Sequence, residues 1–595
     1  MSVPASATQL GQQTLKGTKQ LDDLVAEFHL LDHYKVITDQ VWDEIWITEL
    51  EASMMDTVEF QRLHWVLQLG SSIFVYPTAS HTRFEHALGT LEAADRIVRA
   101  CIENSQTYAT PSIGPYSHVL CRLAALLHDL AQMPYAHTLD HDGEGHLIET
   151  EWKNATLRRD LLAAKRIENK VEKIAFMERQ LRIFFEEKIG ATRKNEIDQI
   201  VENLRADLEW ILCDSSRDKL PSSPNKYYLR PLADIVGNTV CADLIDYVQR
   251  DLLSAGFRDR ISLRPLHFFL IQNFTEKTNG NIEAPRLVLA SWKKTKPDKM
   301  RRDVITEAIE LLRKRYSLGE RVYFHHAKMA AAAMVIKAVA LSGLRCEDVW
   351  SHGDYSLLRY LIDLKDPNGN DHPSASIIKA LLKRDLFKTA YELRHKEKPE
   401  PGDPVESVKD DYARGKAASV RQRKLEDDIA MCVGISSNDI VVYSPDPDMN
   451  TKEFRALVWP KEAAKIVRLE ALGEAKPESD ELQRKHRSLW RLSVFVRREV
   501  LTPEVRRNIR TFCATFLEQQ SPEPEILADL YWKSHRAQLS PGPNPDDRDL
   551  AVNVVIQALA KSMRSGSNSP LFPSLHEVQE EVKRRKAVGG VLPAK

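Results

Sequence analysis

The stretch 76–146 constrains this chain more than any other, and its key lies at one dipeptide. The apolar run Leu123-Ala124-Ala125-Leu126-Leu127 is interrupted by His128-Asp129 and resumes at Leu130. Such a run predicts a buried helix. A carboxylate and an imidazole are costly to bury there unless something pairs them. A divalent metal does so, because it takes imidazole nitrogen and carboxylate oxygen together. The fold must then bring further ligands to this helix.

Two other segments offer them. Thr82-Arg83-Phe84-Glu85 reads as a capping box opening a helix that continues through Leu88, Leu91 and Ala94. Arg83 and His86, three apart, share one face of it. Far downstream, CADLIDYVQRDLLSAGF spaces Asp243, Tyr247 and Asp251 four apart, again on one face. One His from a first helix, the doublet from a second and an Asp from a third surround one metal and leave positions open for water and substrate. A His-Asp dipeptide alone is a weak signal; the order His…His-Asp…Asp on three helical patterns carries the argument.

Composition narrows the class. With 595 residues, the chain holds several domains or one large core with extensions. A net charge of −1 gives no field for nucleic acid. No apolar run approaches the ~18 residues of a membrane helix. The N-terminus lacks the apolar core of a signal peptide. Seven scattered cysteines with no CxxC pair read as reduced thiols in a cytoplasm, against zinc–cysteine chemistry.

Along the chain, residues 1 to about 20 show no periodicity and read as disordered. A short amphipathic helix is predicted over 21–34, and helices over 87–104 and 119–132. The stretch 154–213 is highly charged and reads as a helical hairpin facing solvent or a partner. PSSPNKYYLRP at 221–231 reads as a loop. Residues 301–341 predict two helices, or one bent helix, with Gly319 inside. DIVVYSP (439–445) and FRALVW (454–459) are the clearest strand signals and predict a small β element in a C-terminal lobe. Beyond Phe516, Pro-rich punctuation predicts a tail with two short helices, solvated or bracing an oligomer.

The quoted motifs resemble the HD-domain phosphohydrolases, whose signature is H…HD…D. More closely they resemble the dNTP triphosphohydrolases of the sterile-alpha-motif-and-HD-domain group. The matching pieces are DTVEFQRLHWVLQLG, YPTASHTRFEHALG, LLHDLAQMPYAHTLD, DLIDYVQRD and RYSLGERVYFHHAK, in the same order, in patches over about 35–498. VITDQVWDEIWITELEASMMD resembles the start of that core, and ALLKRDLFKTAYEL a later helix. The resemblance implies a mainly α fold: an HD-domain helical core at 35–345 with the charged insertion at about 154–215, and a C-terminal lobe at 346–515 containing the small β element. A tail and short helix (1–34) precede these, with no room for a sterile-alpha-motif domain, and a Pro-punctuated helical tail (516–595) follows.

The implied reaction is dNTP plus water giving deoxynucleoside and tripolyphosphate. His86, His128, Asp129 and Asp243 are implied ligands of a divalent metal, a donor set suited to Mn, Fe, Zn or Mg. His137 and Asp140 are the implied catalytic pair. Arg83, Arg315 and His146 are implied to meet phosphate, Gln68 and Asp251 the sugar 3′-OH, and Tyr247 and Tyr323 the sugar, Tyr323 filling the space of a 2′-OH. Asp56 and Gln61 match positions that read an activating nucleotide, with His64 where the pattern has arginine. Partners implied are the dNTP, an activating nucleotide and further copies of the chain; membrane and nucleic acid are not.

Three departures stand out. Gln132 replaces a histidine after the doublet, and Gln cannot carry a proton in acid–base work. Leu244 replaces a phosphate-binding lysine, and Gly319 another histidine. Either insertion residues such as Lys165 or Lys170 compensate, or the substrate carries less charge, or activity is low or regulated. The leading expectation is a metal-dependent dNTP triphosphohydrolase. The alternatives are an HD phosphohydrolase acting on another nucleotide or phosphoester, and a nucleotide-sensing regulator with an impaired site.

Overall fold

The computed structural model describes residues 19–135, 137–140, 165–167, 170–173, 176–214, 219–237, 239–276, 282–293, 296–395, 403–413, 418–445, 455–460, 465–473, 475–519, 522–539, 545–565 and 571–587. The chain is mainly α-helical, with small sheets. Three helices form its centre: Arg83–Tyr108, Pro115–Leu127 and Ala242–Ser254. The first opens on the predicted capping box: the Thr82 hydroxyl accepts the Glu85 N–H, and the Glu85 carboxylate accepts the Thr82 N–H at 2.5 Å. It ends where Ala109 adopts a left-handed φ of 54°. The second starts on Pro115, whose missing N–H is no loss at a helix's first position. Every residue from Tyr116 to Leu127 is buried, and its ionisable members are paired: His118 and Arg122 meet Asp95, and Arg122 also meets Glu51.

Gly89 has a packing reason. It lies one turn beyond His86, and a Cβ there would overlap the Asp246 carboxylate and the Arg250 guanidinium. The missing side chain lets the Ala242–Ser254 helix approach closely.

Several local expectations change. The segment after the first helix (Lys19–Glu27) forms an antiparallel hairpin, Lys35–Asp39 with Asp43–Ile47. In the charged stretch, the helices are Phe176–Ile189 and Lys194–Glu209, preceded by a short strand pair, Lys165–Ile167 with Lys170–Lys173. This hairpin of helices is not solvated on all sides: Leu181, Phe184, Phe185, Ile200, Val201 and Leu204 join the main core. Its charge lies on the opposite faces. The 221–231 loop holds a 3₁₀ turn, Pro224–Lys226, and gives way to the Leu229–Gly237 helix.

The bent helix is as read. Arg302–Leu318 runs through a π turn, Gly319–Tyr323, into His326–Ser342, with a bend of 64°. A π turn is a common cause of such a kink. The second half is apolar because it is core: Met329 to Val339 are buried. Among the described residues no single helix is long and apolar enough to cross a membrane.

The two strongest strand signals fold into different sheets. Ile440–Tyr443 joins a three-stranded antiparallel sheet whose middle strand is Arg491–Val496 and whose other edge is Lys388–Arg394. The segment FKTAYEL, read with a helix, is thus largely strand. Leu457–Trp459 instead pairs in parallel with Ile282–Ala290, Leu457 opposite Val288, in a four-stranded sheet with Phe269–Glu276 and Val467–Arg468. Its apolar residues complete the cluster of Leu270, Val288 and Ala290. Local sequence announced both strands but could not say which partner each would find.

The residues beyond 516 do not stand apart. Three helices, Pro524–Leu539, Pro545–Ser565 and Leu575–Ala587, replace the two short ones expected. Leu527, Tyr531, Val555, Leu559, Phe572 and Val578 bury themselves with Leu492, Val494 and Phe512 in the core of the C-terminal lobe.

Candidate metal centre

The three central helices bring His86, His128, Asp129 and Asp243 together. His128 is the last residue of its helix ladder, and its Nδ1 lies 2.7 Å from the Ala125 carbonyl oxygen. That oxygen only accepts, so Nδ1 carries the proton and Nε2 is left as a bare lone pair. His86 is arranged alike: its Nδ1 lies 2.8 Å from Asp246 Oδ2, and Nε2 faces the centre. The two Nε2 atoms are 3.3 Å apart. Asp129 Oδ2 lies 3.8 Å from His86 Nε2 and 3.5 Å from His128 Nε2; Asp243 Oδ1 lies 3.3 and 4.0 Å from the same atoms. Metal–ligand bonds of about 2.1 Å imply donor–donor separations of roughly 3.0–3.4 Å. The four donors need only small shifts to meet that, so they fit a divalent ion. His86, His128 and Asp129 by themselves form a buried group able to hold one.

The electrostatics mark a point where carboxylate charge gathers around two imidazoles. Burial alone lowers His86, but the hydrogen bonds of Asp243 and Asp246, with the charges of Asp246 and Asp129, outweigh it and raise its pKa to about 9. Burial likewise raises Asp129, but the His128, Arg83 and His86 charges overcome it and hold the carboxyl far below its usual range. Burial keeps His128 below its ordinary value, which favours the neutral form that ligates a metal. Two carboxylates converge here on one buried point, an arrangement that a cation relieves.

Several of the other expected residues are held by hydrogen bonds of their own. Arg83 donates from Nη1 to Asp129 Oδ2 at 2.5 Å. Tyr247 sets its ring edge-on to His86 and receives the Arg315 Nε hydrogen bond at 2.6 Å. Asp251 is held at both oxygens, by His81 Nε2 at 2.8 Å and the Tyr323 hydroxyl at 2.6 Å. Burial and then the Asp251 charge push the Tyr323 hydroxyl well above its usual pKa, so it stays a donor. Gln68 is buried with Oε1 unpartnered, and Gln132 with Nε2 unpartnered, among the described residues. Leu244 points into the core and is 0 % exposed. Gly319 opens the π turn that carries Tyr323.

The other expected positions lie elsewhere. Asp56 is exposed, 4.0 Å from Lys35. Gln61 donates to the Met55 carbonyl at 2.9 Å, and His64 stacks on Phe84. The backbone of His137–Asp140 forms one helical turn, but the side chains of His137 and Asp140 lie outside the described residues, as does His146.

Sequence reasoning missed several supporting groups. Asp246, three after Asp243, accepts from Trp42 Nε1 at 2.7 Å and from Arg250. His81 closes on Asp251. Arg62 donates to the Leu130 carbonyl at 3.3 Å and the Gln132 carbonyl at 2.6 Å, tying down the turn after the doublet. In that turn Tyr135 has φ 59°, and its N–H donates to Asp354 Oδ1 at 2.8 Å. Gly70, at φ +46°, has no room for a Cβ against the Tyr135 carbonyl. The one available signal was spacing: Gly89 follows His86 as Asp246 follows Asp243, by three.

Residues 300–520 match the family described as HD associated region. The chain is 29% identical over 241 residues to the deoxynucleoside triphosphate triphosphohydrolase SAMHD1 of Gallus gallus, covering 40% of this chain and 36% of that one. Its human counterpart is 28% identical over 264 residues, 43% of this chain and 39% of the relative. An uncharacterized protein of Methanocaldococcus jannaschii is 38% identical over 114 residues, 19% of this chain and 22% of the relative. The matches thus span well under half the length of these relatives. With its His…His-Asp…Asp centre and its match to the HD associated region, the chain resembles the HD-domain deoxynucleoside triphosphate triphosphohydrolases.

Proposed function

We propose that the chain is a metal-dependent dNTP triphosphohydrolase, releasing deoxynucleoside and tripolyphosphate. The observation that carries this reading is the convergence of two neutral-capable imidazoles and two carboxylates beside Arg83 and the Tyr247–Arg315 pair. A divalent ion held by His86, His128, Asp129 and Asp243 supplies Lewis-acid charge for a phosphoryl group. Arg83 and Arg315 hold the triphosphate, and guanidinium suits forked contacts with phosphate. Asp251 and Gln68 receive the sugar 3′-OH, the orphaned Gln68 Oε1 being a ready acceptor. Tyr323, locked on Asp251, crowds a 2′-OH. His137, oriented by Asp140, delivers the proton to the leaving 5′ oxygen.

Leu244 and Gln132 favour a second reading, an HD phosphohydrolase acting on a less charged nucleotide or phosphoester. Neither can add charge or a proton beside the phosphates. One experiment separates them: metal-loaded protein incubated with each NTP and dNTP, singly and in pairs, with products resolved. Tripolyphosphate with deoxynucleoside, faster for dNTPs than NTPs, supports the first reading. Monophosphate or pyrophosphate selects the second. Intact nucleotides despite binding would select a nucleotide sensor. Acceleration by a second nucleotide would support a regulatory site at Asp56 and Gln61, and light scattering with and without dNTPs tests for a homo-oligomer.

A further inference from the structure

We infer that the N-terminal hairpin is a strut of the metal centre: Asp39 and Trp42 clamp the Arg250–Asp246 pair, which in turn aims His86 at the metal. This rests on the metal reading above. The chain of contacts is continuous and buried. Arg250 is 0 % exposed, as is Asp246. Arg250 Nη1 donates to Asp39 Oδ2 at 2.8 Å, while its Nε and Nη2 take both Asp246 oxygens at 2.9 and 2.8 Å. Trp42 Nε1 adds a bond to Asp246 Oδ1 at 2.7 Å. Asp246 Oδ2 then fixes the His86 Nδ1–H at 2.8 Å.

Asp39 is itself set by the hairpin, since its Oδ1 accepts the N–H groups of Val41 and Trp42 at 2.8 and 3.0 Å. The two hairpin residues therefore grip the pair from the side away from the metal. Gly89 supplies an independent observation, because any Cβ there would drive Asp246 and Arg250 off their positions. A carboxylate on the far nitrogen of a ligating imidazole sets its tautomer and strengthens it as a donor. Here that carboxylate is held by a guanidinium, and the guanidinium by a hairpin more than thirty residues upstream of the ligand. Asp39, Trp42, Asp246 and Arg250 are positioning residues; they do not touch the metal.

The test is Mn²⁺ titration calorimetry on the metal-free full chain, with the thermal midpoint of each metal-free variant and the visible spectrum of the Co²⁺ form. Asp246→Asn should raise the Mn²⁺ dissociation constant roughly 10–100-fold. Asp39→Asn keeps the Oδ1 acceptor for Val41, Trp42 and Arg250 Nη2 but removes the negative charge and the Arg250 Nη1 bond, so it should weaken Mn²⁺ in the same direction by less. Gly89→Ala should weaken Mn²⁺ and shift the Co²⁺ bands. If Asp39→Asn and Gly89→Ala lower the thermal midpoint but bind Mn²⁺ as the wild type does, the hairpin is only structural and the inference falls. In that case, loss of Mn²⁺ in His128→Ala/Asp129→Ala leaves the metal reading standing. Failure of the wild type to bind Mn²⁺ or Co²⁺ overturns both.

Discussion

The helical centre and the C-terminal lobe both bury ionisable groups, but they satisfy them in opposite ways. In the lobe the partners close on each other. At its border, Lys337 of the bent helix meets Glu426, whose other oxygen accepts the Val442 N–H at 2.9 Å. Arg497 meets Asp439 at 2.6 Å, and Asp428 takes the Leu571 N–H at 2.6 Å. Each contact ties one element to another and leaves little room for a ligand. In the centre, Asp129 and Asp243 both lie within 4.0 Å of His86 or His128, and the two imidazole Nε2 atoms face each other. Gln68 and Gln132 keep unpaired buried atoms beside them. Closed pairs hold a fold together; convergent donors of excess negative charge are arranged for something that arrives from outside.

The largest effect expected from breaking this contrast is at the doublet. His128→Ala with Asp129→Ala should abolish metal binding and turnover while most helix content remains, because the surrounding helices are carried by apolar burial. Elemental analysis and circular dichroism check this; unchanged metal stoichiometry refutes the ligand assignment. Next is His137. General acid–base groups contribute roughly 10²–10⁴-fold, so His137→Ala should lower kcat by at least about a hundredfold with metal retained, and Gln132→Ala by much less. Near-wild-type turnover in His137→Ala would overturn the catalytic role given to His137.

In the lobe, Leu559→Ala deletes a fully buried side chain. It should cost roughly 2–5 kcal/mol of stability, seen as a lower urea midpoint, with metal content per folded chain unchanged. Loss of metal in proportion to the lost stability would show that the two regions do not behave separately. The smallest effect is a pH dependence. Burial pushes the Asp428 carboxyl up to about 6, against the Leu571 N–H that lowers it. A raised folded pKa means the folded state holds the proton more tightly. This group's contribution is therefore full below the ordinary carboxyl value of 3.8 and is lost as pH rises through about 6. Asp428→Asn keeps an acceptor for Leu571 and should flatten the fall in stability between pH 4 and 6, by roughly 1–3 kcal/mol. Identical denaturation midpoints for variant and wild type across that window would count against it.

The helices around the doublet were legible because their signals are local. A capping box, a Pro at a first helical position, a 3.6-residue spacing and an apolar run each act within a turn or two. The strands were legible only as strands. Lys388–Arg394 and Arg491–Val496 carry apolar residues, but neither is flanked by turn signals as clear as those around 439–459; Arg491–Val496 becomes a strand by pairing with Ile440–Tyr443 on one side and Lys388–Arg394 on the other, across long stretches of chain. Pairing energy comes from a partner whose place in the chain no local pattern records.

By itself the sequence determined which residue types would sit on the three central helices, and that one face of each would carry His86, His128-Asp129 and Asp243. Periodicity and capping suffice for that. Only the tertiary structure decided what positions those side chains. Asp246 reaches His86 because Gly89 lets two helices come close, and Arg250 is anchored by Asp39 from a hairpin that sequence reading did not predict. Likewise it decided that Leu457–Trp459 leaves the lobe for the sheet of Ile282–Ala290, and that the helices after 516 complete the lobe's core. The physical reason is range. Dihedral and capping preferences are properties of neighbouring residues, whereas close approach, burial of an ion pair and choice of strand partner depend on surfaces that meet only after the chain has folded.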